Sequence, residues 1–398
     1  MILDDLDDQA DHETETVMNH RVAQSTRGNY ERSNINLLLW LFENNDKYHG
    51  VLEQTLFEKM KAADEKDKER RNSNGSRSKK RDNIREVCRI SLRGIKAGVD
   101  ETIPVKLHNL TFTIYSRYLS TFKKKIKQKR RGTEIVEGDN IRVIEVRLSA
   151  ASYETACSAL AHLYQESGLN KEQTSPELWT KLASYKKGTR RMGATEKQQL
   201  GLKLNEGKKP LSFKAYRYLA ELLFRSQKTE YIGAHTFLIL EWNLIARAEN
   251  CVRAKVEHVQ FYRDALLFDF AKTKTDQEGT KNIDHPWHVY ANALDPVICP
   301  VLALARYITV HSSILHGEGN LFEGQSQYER FNRIFSDVVN EHQHEFSALG
   351  ISPVDFGTHS IRKGAATYVA TGCTVSPPMA SICLRANWTL GGGKRSIY

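Results

Sequence analysis

Apolar residues recur at helical spacing along most of this chain. Tyr30, Ile35, Leu38, Leu39 and Phe42 make one stripe, with Ser25 or Thr26 placed to cap it. Residues 102–122 carry Leu107, Leu110, Phe112, Ile114, Tyr115, Tyr118 and Phe122 and read as structured. Residues 149–167 read as a helix that starts at Ser149 and stops at Gly168. The next helix has Ser175 as its cap, Pro176 and Glu177 in its first turn, and Gly188 as its stop. In the second half, Phe213, Tyr216, Leu219 and Leu223 share a helix face, and a more apolar helix runs from about Ile232 to Ala246. Residues 265–275, ALLFDFAKTKT, alternate as a strand does, Asp276 to Gly279 is turn chemistry, and residues 283–291 are placed to return as a hairpin. Helices follow around 297–315 and 328–346, and one begins near Thr358 and ends at Gly372.

This pattern predicts a mainly α fold with one small β-sheet or hairpin. Residues 1–18 are polar and acidic and read as a disordered tail. Residues 19–200 form a helical region with charged linkers. Within it, residues 61–82 surround Asn-Ser-Asn-Gly-Ser and read as a linker or a frayed helix end. Residues 189–209 are polar, basic and loop-like, and the domain boundary is expected there, with a second domain over 206–398. No internal repeat and no phosphate-cradling glycine loop is visible.

Composition narrows the class. The 398 residues allow two ordinary domains, and 40% hydrophobic content supports real cores. No apolar run is long enough to span a bilayer. The best candidate, Thr236 to Ala246, is short and carries Glu241, so it reads as a buried helix. Asp4, Asp5, Asp7 and Asp8 are wrong for a secretory or mitochondrial leader, and an intracellular protein is expected. Cys88, Cys157, Cys251, Cys299, Cys373 and Cys383 form no C-x-x-C pair and read as reduced, mostly buried thiols. The net charge of +10 favours a polyanionic partner. Part of it is concentrated in KKKIKQKRR at 123–131 and in Lys79, Lys80 and Arg81. These blocks suit DNA contact or nuclear import equally.

Metal-free cleavage of a phosphodiester needs a nucleophile, cations on the non-bridging oxygens, a proton donor for the leaving oxygen, and a group that manages the nucleophile's proton. Candidates for each stand in the second half. In His359-Ser360-Ile361-Arg362 the first and last residues share a helix face and can reach one anion, with Thr358 placed to cap that helix. Arg247 follows the apolar segment, an odd place for a charge unless it faces a cleft; the plain alternative is a helix-end arginine beside Glu249. Lys272 and Lys274 share one face of the predicted strand and are otherwise a solvated strand end. Trp388 can be core or can offer its indole N–H to an oxygen, and Tyr398 is the last residue.

The order Arg, hairpin Lys, H-x-x-R, Trp, Tyr resembles the tyrosine recombinases and integrases. The stretch HSIRKGAATYVATGCTVSPPMASICLRANWTLGGG, residues 359–393, is particularly similar to the recombinases of Crypton-type eukaryotic mobile elements. The resemblance covers about 206–398; residues 20–200 match the family's DNA-clamping domain in helical character alone. It implies that Arg247 and Arg362 neutralise the scissile phosphate. Lys274, with Lys272 as the fallback, would be the acid for the 5′-hydroxyl, and His359 would manage the nucleophile's proton. Trp388 would touch the phosphate, and Tyr398 would attack phosphorus to give a 3′-phosphotyrosine. It further implies no metal, cofactor or ATP, a double-stranded DNA partner, self-association on DNA, no membrane, and a nuclear location.

This chain departs from the family at three points. Asn250 stands where an acid often follows the first arginine by three places. The usual tyrosine position falls on Ile397, one residue before Tyr398. Finally, the catalytic domain is expected to stop short of the family's usual end. A catalytically inactive DNA-binding derivative is therefore the alternative to a site-specific DNA recombinase. A helical protein-interaction scaffold is a third reading, and it predicts that the candidate residues lie far apart. A type IB topoisomerase, which shares the chemistry, fits the motif order less well.

Overall fold

Two hydrophobic cores form, one from each half of the chain. The computed structural model describes residues 22–73, 81–129, 141–202, 207–270, 286–316, 319–372 and 375–388. Contacts divide the chain into Met1–Leu204 and Asn205–Tyr398. Among the described residues no helix is long and apolar enough to cross a membrane.

The first unit is built on helices α1 (Gln24–Glu43), α2 (Gln54–Ser73), α3 (Asp82–Arg93) and α4 (Phe112–Ser120). Helices α5 (Ala150–Glu166), α6 (Lys171–Thr174) and α7 (Pro176–Gln199) follow. The α1 stripe buries Ile35, Leu38 and Leu39, but the N-cap is Ala23 rather than Ser25 or Thr26. Helix α2 runs through the first part of 61–82, the segment expected to be a linker or a frayed helix end. Met60 and Ala63 lie in the core, and the Asp67 carboxylate accepts the backbone N–H groups of Asn83 and Ile84, capping α3. Gly168, at φ +72°, follows the end of α5 as its sequence position predicts.

Two segments of this unit differ from expectation. Helix α7 passes Gly188 and continues through residues expected to be a loop. Its polar residues find partners: Arg190 pairs with Glu154, and Glu196 pairs with Arg147 at 3.4 Å. The basic block, expected to lead into a turn-rich stretch, forms strand β1 (Lys123–Lys129), antiparallel to β2 (Ile141–Arg147). Lysine is a poor strand former, but Ile126 lies opposite Ile144 and Val146 is buried, which gives this ribbon an apolar inner face.

The second unit wraps around one helix. Ser212 caps α8 (Phe213–Arg225) by accepting the Ala215 N–H at 3.2 Å. Helix α9 (Thr229–Leu244) is buried on almost every side, which explains why its sequence is apolar without a polar face. After the short α10 (Ala248–Val252) comes a three-stranded antiparallel sheet, ordered β3 (Val259–Tyr262), β4 (Ala265–Phe268), β5 (Trp287–Tyr290). Strands β4 and β5 fall inside the expected hairpin; residues 271–285 lie outside the described residues. Strand β3 was not expected, because its four residues are mostly exposed and show no alternation.

Helices α11 (Pro300–Val310), α12 (Gln327–Glu341), α13 (Gln343–Ala348), α14 (Thr358–Thr367) and α15 (Met379–Arg385) complete the unit. A π-helical turn over Tyr368–Gly372 extends α14 to its expected end. Helix α14 is seated by a close backbone approach. Leu211 donates its N–H to the Ser360 carbonyl at 2.9 Å, and a Cβ on Gly364 would lie 2.1 Å from the Leu211 oxygen. Thr358 is the first residue of α14 and not its cap; Gly357 holds the cap position, and the Thr358 hydroxyl donates to the Tyr328 hydroxyl.

Candidate active site

Arg247 stands immediately beyond a strained turn. Helix α9 ends where Ile245 enters the left-handed region at φ 49°, a conformation a β-branched residue rarely adopts. Arg247 then holds the N-cap position of α10, with no side-chain capping bond. Its Nη1 is buried without a hydrogen-bond partner. Burial lowers its pKa, with Glu249 opposing. A guanidinium that is partly dehydrated and partly unbonded is primed for an anion.

Helix α14 brings His359 and Arg362 to the same place. Arg362 is 3% exposed. Burial and then the positive charge of Arg247 push it down to about 10. One of its Nη groups donates to the Ala386 carbonyl, and its guanidinium carbon lies 5.5 Å from the centre of the Trp388 ring. His359 is the exposed member of the group. Partial burial of the ring, then Lys363, Arg362 and Arg247, lower its pKa, so the imidazole is neutral near pH 7 and able to accept a proton. The plain reading of Arg247 as a helix-end residue is incomplete, since it also acts electrostatically on both Arg362 and His359.

Trp388 arrives through a second left-handed residue, Asn387 at φ 51°, and its N–H donates to the Cys383 carbonyl at 2.8 Å. The preceding helix is tied to the rest of the unit. Arg385 donates to the carbonyls of Asn243 and His288, each at 2.7 Å, and Trp287 Nε1 donates to the Arg385 carbonyl at 2.8 Å. The structure thus gathers Arg247, His359, Arg362 and Trp388 from the end of α9, from α14 and from beyond α15. Lys272, Lys274 and Tyr398 lie outside the described residues.

Sequence reasoning missed two titratable residues beside these arginines. Lys363 adds to the positive field on His359. Glu241, noted only as a mark of burial, is a fully buried carboxyl whose pKa burial raises well above the ordinary range, with the charge of Arg362 opposing. Among the described residues no group of three or more His, Cys, Asp or Glu is arranged to hold a metal ion. Five of the six cysteines, all but Cys373, are described, and each is free and buried.

The first unit has a concave surface of its own. Arg32, Arg81 and Arg85 line it with Trp40, Tyr118 and Phe122. Arg81 is occupied by Glu43 and Asp64, which makes it part of the frame of this unit.

No protein-family model matches this chain, and no curated protein matches it. Among solved structures it is similar to the XerH site-specific recombinase bound to difH substrate in a pre-cleavage complex. The TM-score is 0.42 and the identity 12%, over 90% of this chain and 90% of that chain. A similarity at this level leaves the site to be judged on its own residues.

Proposed function

We propose that this chain is a tyrosine-type DNA breaking and rejoining enzyme, a site-specific recombinase or integrase of mobile-element origin and Crypton-like character. The observation that carries the reading is the gathering of Arg247, His359, Arg362 and Trp388 around one electropositive site. A helical interaction scaffold gives no reason for a buried arginine, Arg362, to carry its charge under the repulsion of a second, half-buried one, Arg247.

In this reading Arg247 and Arg362 hold the non-bridging oxygens of the scissile phosphate, where negative charge builds up during displacement. Neutral His359 accepts the Tyr398 proton as Tyr398 Oη bonds to phosphorus. The 5′-oxygen leaves with a proton from Lys274, or from Lys272. A 5′-hydroxyl then attacks the phosphotyrosine, the O–P bond to Tyr398 breaks, and the strand is rejoined. Trp388 packs against Arg362 and fixes its approach. Double-stranded DNA is the partner, self-association on DNA and a nuclear location belong to the same reading, and the arginine- and aromatic-lined surface of the first unit suits a nucleic-acid backbone.

The test is a nicked suicide duplex, drawn from a pool because the target site is unknown. Trapped covalent protein–DNA adduct is expected with the natural chain and not with Tyr398→Phe. DNA binding without any adduct would instead identify an inactive derivative, which the displaced tyrosine spacing favours.

A further inference from the structure

The ribbon of β1 and β2 has no part in the chemistry above, and its composition works against its own fold. The two strands carry five lysines, two arginines and one glutamate. Their register places Lys123, Lys125, Lys127 and Lys129 on one face, so like charges recur about every 7 Å along one strand. Lysine is a poor strand former, and a two-stranded ribbon alone is marginal in water. The base of the ribbon is well tied. Leu148 donates its N–H to the Phe122 carbonyl at 2.9 Å, and Tyr153 of α5 donates its hydroxyl to the same carbonyl at 3.1 Å. Arg147 pairs with Glu196 of α7, and Val146 is buried. Beyond that base no other described element makes an extended contact with either strand. The ribbon is therefore a cationic arm, about 20 Å long.

Its lysine face is not uniform. Lys123 and Lys125 are exposed, and the same face carries two residues of β2: Val143, 55% exposed, and Glu145, whose carboxylate lies 3.8 Å from Lys123. The register sets Lys125 opposite Glu145 and Lys127 opposite Val143. A face made for phosphates alone has no use for an acid or for an exposed valine. On base edges each residue type has a partner. Lysine donates to guanine O6 and N7, glutamate accepts from cytosine N4, and an apolar side chain meets the thymine methyl. The major groove displays all of these, whereas the minor groove shows neither cytosine N4 nor the thymine methyl. At about 12 Å wide and about 8.5 Å deep, the major groove also admits a two-stranded ribbon. We infer that the β1–β2 ribbon is a base-reading arm that enters the major groove of duplex DNA with the face of Lys123, Lys125, Val143 and Glu145 toward the bases. The inference rests on reading duplex DNA as the partner of this chain. It assigns the first unit a contact of its own, since Arg247 and Arg362 belong to the second. In the groove the phosphates on either side offset the repulsion between the lysines.

The test is fluorescence anisotropy of the full chain on a labelled mixed-sequence duplex, between about 50 and about 200 mM salt. The variant combines Lys123→Thr, Lys125→Thr and Lys127→Thr; threonine is the better strand former, so the ribbon is kept. Affinity should fall roughly 30-fold, and the log–log dependence on salt should become shallower by about 2 to 3. A second duplex carries glucosylated 5-hydroxymethylcytosine, which fills the major groove and leaves the minor groove and the backbone as they were. It should weaken the natural chain several-fold more than the variant. Because the natural chain is read on both duplexes, a variant that misfolds does not leave the matter open. Equal affinity and equal salt dependence in the variant would overturn the inference while leaving the DNA reading intact. So would a natural chain indifferent to the filled groove, which would put the ribbon on the backbone. Binding of single strands or of polyglutamate as tightly as duplex would overturn it too, since the arm would then be a general anion contact. If the natural chain binds no duplex at all, the DNA reading itself falls, and this inference with it.

Discussion

Arg247 holds a charge in a place where the fold gives it too few partners. Its buried Nη1 is unbonded, so the residue opposes folding and favours an anion. Arg247→Gln should leave stability unchanged or raise it by about 1 kcal/mol in a denaturant titration. Adduct formation on a suicide duplex should fall roughly 100-fold. Ile245, two residues earlier, has the opposite balance. Glycine there would relieve about 1 kcal/mol of left-handed strain. It would also delete a side chain that is 3% exposed, which costs about 3 kcal/mol. Packing wins, and Ile245→Gly should lower stability by about 2 kcal/mol. Arg247, His359, Arg362 and Trp388 were legible in the sequence because each is chemically odd in its place and they occur in a familiar order. Glu241 and Lys363 were not, since their effect depends on which side of α9 and α14 faces the arginines, and no local pattern records that.

Helix α14 delivers His359, Arg362 and Lys363, and its seat is narrow. The space beside Gly364 is filled by the Leu211 backbone, which cannot swing aside as a side chain can. Gly364→Ala should therefore destabilise the second unit by about 3 kcal/mol, read as a lower melting temperature. DNA cleavage should suffer as well, because any adjustment moves His359 and Arg362 together. At this scale three helices were readable: α5 from its start at Ser149 and its stop at Gly168, α8 from the spacing of Phe213, Tyr216, Leu219 and Leu223, and α9 from its apolar run. The ribbon of β1 and β2 was not, because lysine masks the alternation of Ile126 with its neighbours. Helix α7 outran its apparent stop at Gly188 because Glu154 and Arg147, distant in sequence, supply partners that the local composition does not reveal.

The two units keep separate hydrophobic cores, one from Ile35 to Leu182 and the other from Leu211 to Ala386. Each should melt cooperatively as a separate fragment, which calorimetry on residues 1–204 and 205–398 would check. Acid should act on the second unit through His235. This ring is buried, its Nε2 donates to the Val297 carbonyl at 2.8 Å, and burial lowers its pKa to about 4. The unfolded chain accepts that proton near pH 6.5 while the native state refuses it, so stability is lost as pH falls from there toward about 4. The loss should amount to about 3 kcal/mol, and His235→Gln should remove most of that slope in urea titrations at several pH values. The division of labour between the units was legible only as a change in composition near residues 189–209, because a core is a property of packing and not of any one segment.

The clasp around Arg385 has a mechanical consequence. Its guanidinium grips the backbone of Asn243 at the end of α9 and of His288 in the sheet, while Trp287 grips its carbonyl in return. Four hydrogen bonds thus meet at Arg385 and hold the end of α15 to α9 and to the sheet at once. Such a joint is stiff until it fails.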